Sequence, residues 1–125
     1  MNIPGNLKYS SEHEWVKVVG DSAYIGITDF AQSELGDIVF IELPEVGNTF
    51  SVGDIFGTIE AVKTVADLFA PISGEIIEIN NALENSPELL NKDAYNAGWI
   101  IKIKIDNTEE LDSLLDPQSY KGLFS

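Results

Sequence analysis

Lys63 is the residue on which chemistry could be built. It is the only lysine between Lys17 and Lys92, in a chain with seven lysines and no arginine. It stands in Glu60-Ala61-Val62-Lys63-Thr64, between two β-like runs, Asp54 to Ile59 and Val65 to Phe69. A lysine between paired strands sits on a hairpin tip, where a side chain reaches furthest into solvent. A lysine nucleophile must shed its proton, which needs burial or a neighbouring cation. Glu60 and Asp67 are anions that favour the ammonium, and an exposed tip adds no desolvation. Lys63 is poorly set up as a catalyst and well set up as a substrate that another enzyme acylates. On position alone, an ordinary solvated turn lysine is the simpler account.

Other candidate chemistry is thin. His13-Glu14 could open a metal-binding helix, but the chain holds one histidine, and that motif needs two on one face. No Ser-His-Asp or phosphate-loop pattern occurs. The absence of cysteine removes thiolate chemistry and any disulfide framework, and is compatible with a reducing compartment. His13 is expected to pack or bond locally at a strand start. Trp15 and Trp99 are expected to fill the core or to cover a cleft.

The elements that must position Lys63 are mostly strands. Glu14 to Val19 and Ala23 to Ile27 are rich in β-branched and aromatic residues, and Gly20-Asp21 between them suits a tight hairpin. A short helix follows, with Asp29 as its cap, Gln32 three residues on and Gly36 at its close. Ile38 to Leu43 predicts a strand with Val39, Ile41 and Leu43 on one face, ended by Pro44. After the Lys63 hairpin, Ala70 to Gly74 is a turn into a strand from Glu75 to Ile79. Asn81 with Glu84, and Ser86 with Pro87, read as starts of short helices. Trp99 to Ile105 alternates, with Ile101, Ile103 and Ile105 inward and Lys102 and Lys104 outward. Asn107 with Glu110 predicts a helix carrying Leu111, Leu114 and Leu115, and Asp116-Pro117 opens another. Pro44-x-x-Gly47 recurs as Pro71-x-x-Gly74, and Gly36-Asp37-Ile38 as Gly53-Asp54-Ile55, a faint echo of two similar halves. Many short strands predict a mainly β sandwich or small barrel with helices at its edges.

With 125 residues, of which 44% are hydrophobic, the chain is expected to form one domain over 1–125. Its core would run from about 14 to 105, with C-terminal helices from about 107 to 123. Twenty-one acidic residues against seven lysines leave a net charge of −14. That charge repels nucleic acid and anionic membrane, and either favours partners with basic docking faces or serves solubility alone. No stretch is long enough to span a bilayer, and residues 1–12 lack the apolar run of a secretory signal. A cytoplasmic location is expected, or the mitochondrial matrix for a trimmed organellar form.

Glu60-Ala61-Val62-Lys63 resembles the attachment sequence of lipoyl carriers, with Gly47 sixteen residues before the lysine and Gly74 eleven after. Further segments resemble one group of these, the H proteins of the glycine cleavage system. They are Lys8-Tyr9, His13-Glu14-Trp15-Val16, Ile25 to Asp29 with Ala31-Gln32, Leu35 to Val39, Glu42-Leu43-Pro44, Pro71 to Glu75, and Gly98-Trp99. In order they cover about residues 7 to 123. Ala61 stands where the family usually has serine, and Thr64 where alanine is common. Glu12 and Glu34 stand where members carry a small hydroxyl residue and a histidine.

The resemblance implies a barrel-sandwich hybrid fold of the lipoyl/biotinyl type and lipoate in amide linkage on Lys63, with Glu60 and Val62 in the attachment motif. It implies a monomeric, non-catalytic carrier serving glycine decarboxylase (P protein), aminomethyltransferase (T protein) and dihydrolipoyl dehydrogenase (L protein), after loading by a lipoylating enzyme. The arm would take the aminomethyl group of glycine from the first, deliver it to the second and be reoxidised by the third. The amide removes the lysine charge and leaves a long tether, which raises effective concentration at each docked active site. The loaded amine is open to hydrolysis. A cleft that excludes water and offers carboxylates would shelter it, which makes Glu14 and Asp67 arm-cleft candidates, with Glu12 and Glu34 beside them. Solvated surface carboxylates remain the alternative for all four. A biotinyl carrier normally sets its lysine between methionines, whereas the one methionine here is Met1. The closer rival is a lipoyl domain or lipoate-relay protein serving 2-oxoacid dehydrogenases. Such domains are shorter, lack the segments around Trp15 and Leu111 to Leu123, and hang on linkers this chain does not contain.

Overall fold

The computed structural model describes residues 2–124. In chain order it forms β1 (Lys8–Tyr9), β2 (Glu14–Val19), β3 (Ser22–Ile27), α1 (Asp29–Leu35), β4 (Ile38–Glu42), β5 (Thr49–Phe50), β6 (Ile55–Ala61), β7 (Val65–Phe69) and β8 (Gly74–Ile79). Then come α2 (Ala82–Asn85), α3 (Leu89–Lys92), β9 (Ile101–Ile105), a 3₁₀ helix (Thr108–Ser113) and α4 (Pro117–Lys121). One sheet has the order β1-β2-β3-β9-β8-β5 and the other β4-β6-β7, every pair antiparallel. The fold is mainly β, as expected, and the two sheets stay open rather than closing into a barrel.

Period-two patterning builds the main core. Ile101, Ile103 and Ile105 turn inward from β9 as the alternation requires, and meet Ile25 and Ile76 of the same sheet. Ile41, Ile59 and Leu68 close the core from the smaller sheet. Burying each such side chain stabilises the fold by roughly 1.5–3 kcal/mol. A second cluster, Leu7, Tyr9, Trp15 and Tyr120, ties the chain's two ends to β2. There the Tyr9 and Tyr120 rings stack with centroids 4.6 Å apart, and Trp15 Nε1 donates to the Ala94 carbonyl at 2.9 Å. Gly26 faces Trp15 across the strands because a Cβ there would lie 2.7 Å from the indole.

Local expectations met different fates. The Gly20-Asp21 hairpin forms with Val19 opposite Ser22. Helix α1 is capped by Thr28, whose hydroxyl accepts from Ala31 N at 3.2 Å, and not by Asp29, which is its first residue. The even face expected for Val39, Ile41 and Leu43 is broken by a register shift between Ile38 and Phe40. Ile38 and Ile41 are buried, and Val39 is exposed. Asn81 precedes α2 without a side-chain cap, and α3 begins at Leu89 rather than at Ser86-Pro87. Asn107 does cap a helix, but a 3₁₀ one that stops before Leu114. Glu110 makes no capping box, because its carboxylate accepts from Ser73 N and Ser73 Oγ at 2.7 and 2.9 Å. Asp116 caps α4 as expected. Of the internal echoes, Gly36 and Gly53 share left-handed φ values of +79° and +88°. Gly74 instead lies in β8, where a Cβ would strike the Lys104 carbonyl, so its likeness to Gly47 is one of sequence only.

Candidate functional site

The Lys63 hairpin is β6 and β7 joined at Val62-Lys63-Thr64, with Glu60 opposite Val65. Ala61 N donates to Thr64 O at 2.8 Å, which closes the tip, and Val62 N donates to Asp37 O at 3.0 Å, which moors it to the turn after α1. Lys63 and Glu60 are exposed, and Val62 retains 75% of its surface. The lysine stem lies over Gly36, where a Cβ would come within 3.1 Å of Lys63 Cε. Glycine there meets two demands at once, a left-handed backbone at the helix end and room for the lysine.

Beside the hairpin runs a cleft of about 470 Å³. Ala66, Asp67 and Phe69 of β7 form one wall, Glu12, His13 and Glu14 the other, and Phe30 and Glu34 of α1 line it too. Ile27, Ile59 and Leu68 supply an apolar floor. All four carboxylates expected near the lysine line this one cleft. Trp15 and Trp99 do not. They border a separate hollow with Tyr24 and Tyr95, so as cleft covers they are misassigned, and they act as packing. A larger, polar hollow of about 560 Å³ along β5, β8 and β9 shares no residue with the lysine cleft.

The four carboxylates are not equivalent. Glu12, Glu34 and Asp67 are exposed, whereas Glu14 keeps only 2% of its surface. Ser10 Oγ donates to Glu14 Oε1, and Phe69 N donates to Oε2 at 3.4 Å, joining the two walls. Desolvation by burial outweighs these bonds and pushes the Glu14 carboxyl up to about 8. Glu14 therefore holds its proton near neutral pH.

His13 packs and bonds locally through its backbone, as expected, N donating to Ser10 O at 3.1 Å, but its side chain also reaches across the chain, with Nδ1 2.7 Å from the hydroxyl of Tyr120. That hydroxyl also lies 2.7 Å from Thr28 Oγ1, so α4 is bolted to the start of α1 and to the cleft wall by one phenol. His13 adopts φ +70°, uncommon for a residue with a side chain, and its ring packs on Phe30 with centroids 4.8 Å apart. Burial lowers its pKa, the imidazole thus staying neutral, while burial pushes the Tyr120 phenol up to about 12. Ser10, Thr28, Phe69 and Tyr120 were not anticipated as site residues. No local motif marks Ser10 or Tyr120, since each matters only through a partner brought by the fold.

An open pair of antiparallel sheets, presenting one lysine on a hairpin tip beside a cleft, defines a carrier protein of the lipoyl-domain-like class. Comparison with known proteins narrows this. The family model described as "Glycine cleavage H-protein" matches residues 7–125. The glycine cleavage system H protein of Bacteroides fragilis is 56% identical over 123 residues, covering 98% of each chain. That of Carboxydothermus hydrogenoformans is 56% identical over 121 residues, covering 97% of this chain and 93% of its own. The crystal structure of a glycine cleavage system H protein from Mycobacterium marinum superposes with a TM-score of 0.89 at 41% identity, covering 97% of this chain and 98% of that one. The chain belongs to the glycine cleavage H-protein family.

Proposed function

We propose that Lys63 is the lipoylated residue of this carrier, and that its arm moves between Lys63's surroundings and the active sites of the P, T and L proteins of the glycine cleavage system. The observation that carries this reading is the pairing of one exposed lysine, its stem laid over Gly36, with an apolar-floored cleft beginning at the same hairpin. The fit is chemical as well as steric. An extended aliphatic arm matches Ile27, Ile59 and Leu68, and a cationic cargo matches a rim of Glu12, Glu34 and Asp67. When bound, lipoate would supply a disulfide that is reduced as it takes up the aminomethyl group, and the dithiol left after that group departs would be reoxidised by the L protein. The chain's own residues bind and shelter. Ile27, Ile59 and Leu68 exclude water from the cleft floor, and Phe69 N and Ser10 Oγ orient the Glu14 carboxyl.

Glu14 moves a proton. It is neutral when the cleft holds no cation, and an ammonium beside it favours the carboxylate, so Glu14 adds its charge to the acidic rim only with the cargo. The chain itself contributes no catalytic centre, and it works in the cytoplasm of a bacterium such as those of its relatives. No helix among the described residues is long and apolar enough to cross a membrane. Co-expression with a lipoate–protein ligase, followed by intact mass and peptide mapping, is expected to give one lipoyl increment on Lys63 and none in Lys63→Arg. An increment on another lysine, or none on the native chain, would sink the assignment.

A further inference from the structure

The tip that carries Lys63 is short of anchors. Outside the strand ladders its backbone makes two bonds, the internal one from Ala61 N to Thr64 O and the one from Val62 N to Asp37 O. The position of Lys63 relative to the cleft thus depends on where residues 36–38 are held. Those residues leave α1 through a left-handed glycine and enter β4 at its register shift, so regular structure alone does not hold them.

One side chain does. Asn91, on α3, accepts from Ile38 N at 3.0 Å through Oδ1, and donates through Nδ2 to the Gly36 carbonyl at 2.8 Å and to Gln32 Oε1 at 3.0 Å. It grips the backbone on both sides of Asp37 and leaves the Asp37 carbonyl to receive Val62 N. We infer that Asn91 is a positioning residue for the Lys63 hairpin, acting through the turn at Gly36 to Ile38, which lies more than fifty residues before it in sequence. Only a carboxamide suits the place, because the site asks for one acceptor and two donors from one planar group. Aspartate keeps the bond from Ile38 N and loses both donations.

The molecule contains its own control. Asn80, buried where Asn91 is half-buried, also makes three bonds, donating to Ala97 O and Trp99 O at 2.8 and 2.7 Å and accepting from Ala82 N at 3.3 Å, but none of these reaches residues 36–38 or the hairpin. Loss of either amide should lower stability, and only loss of Asn91 should loosen the tip. Amide hydrogen exchange at Val62, which reports local opening, is expected to be about tenfold faster in Asn91→Ala, the size of one net hydrogen bond. It should stay as in the native chain in Asn80→Ala. A loosened tip spends less time in the form an enzyme can bind, so the KM of a lipoate–protein ligase for the carrier should rise, by no more than the factor by which the closed fraction falls, while kcat holds. If Asn91→Ala does not fold, Asn91→Asp tests the same point in the same direction.

Unchanged Val62 exchange in the Asn91 variants, or equal acceleration in Asn80→Ala, overturns the inference. The KM measurement rests on Lys63 being the modified residue, but the exchange measurement does not. A failed Lys63 assignment therefore shows in peptide mapping, whereas a failed role for Asn91 shows at the Val62 amide.

Discussion

The two walls of the lysine cleft bear the same kind of side chain in opposite settings. On the β2 side, Glu14 is buried and bonded to Ser10 and Phe69 N, with His13 beside it tied back to Tyr120 in the second hydrophobic cluster. On the β7 side, Asp67 stands exposed on the outer strand of the three-stranded sheet, one face of a hairpin whose tip is moored to Asp37 by a single backbone bond. One wall is tied into the second cluster, and the other, though Leu68 anchors it in the main core, ends in the exposed tip that carries Lys63. The division suits the proposed arm, which needs a dry carboxyl on one side and an accessible lysine on the other.

The largest test of this contrast is the pH dependence of stability. Burial raises folded Glu14 from 4.5 to about 8, so the folded chain keeps a proton that the unfolded chain has already released over that interval. The stability this group contributes is present in full below about 4.5 and is lost as pH rises through about 8. The native chain should therefore lose roughly 4–5 kcal/mol relative to Glu14→Gln between those limits. Urea unfolding of both proteins across the range reads the difference, and parallel curves would show that Glu14 is not desolvated.

A smaller effect probes what backs the β2 wall. Tyr120→Phe leaves His13 Nδ1 without its partner and Thr28 Oγ1 with only its capping bond from Ala31 N, which costs about 1–3 kcal/mol. Thermal unfolding should show the loss, and an unchanged Tm would mean that α4 does not brace the cleft. The smallest change belongs to the exposed wall, where Asp67→Asn should alter stability by less than about 0.5 kcal/mol. The same variant should still speed ammonia release from the glycine-loaded carrier in the absence of aminomethyltransferase, if the exposed wall also shelters the cargo. A large stability loss in Asp67→Asn would erase the distinction between the walls.

Strand identities were legible because they rest on local pattern. The alternation of Ile101, Ile103 and Ile105, the run from Val65 to Phe69 and the two-residue turn at Gly20-Asp21 depend on neighbours in the chain, and each appears where expected. Helix starts were less legible, because a cap is chosen by geometry that several polar residues can satisfy. Thr28 prevailed over Asp29 at α1, where its hydroxyl both caps the helix and meets Tyr120, a residue 92 positions away. Val39 was misjudged for a related reason, while Ile41 and Leu43 do turn to the core. A register shift against β6 breaks the period of two, and nothing between Ile38 and Leu43 announces it.

For the site, the sequence by itself singled out the residue proposed for modification. Lys63 is solitary, lies between two strand-forming runs, and is flanked by residues that resemble a known attachment motif. Those are properties of composition and spacing, and no fold was needed to see them. Only the tertiary structure decided what the surrounding groups are. Glu14 and Asp67 are equal on paper as carboxylates in strands, and they differ because one strand end is covered by Ser10, Phe69 and the second cluster while the other faces water. Asn91 is an ordinary asparagine until α3 brings it to the turn that holds the lysine. Burial and long-range hydrogen bonds set proton affinity and position, and both are made by residues that meet only when the chain has folded.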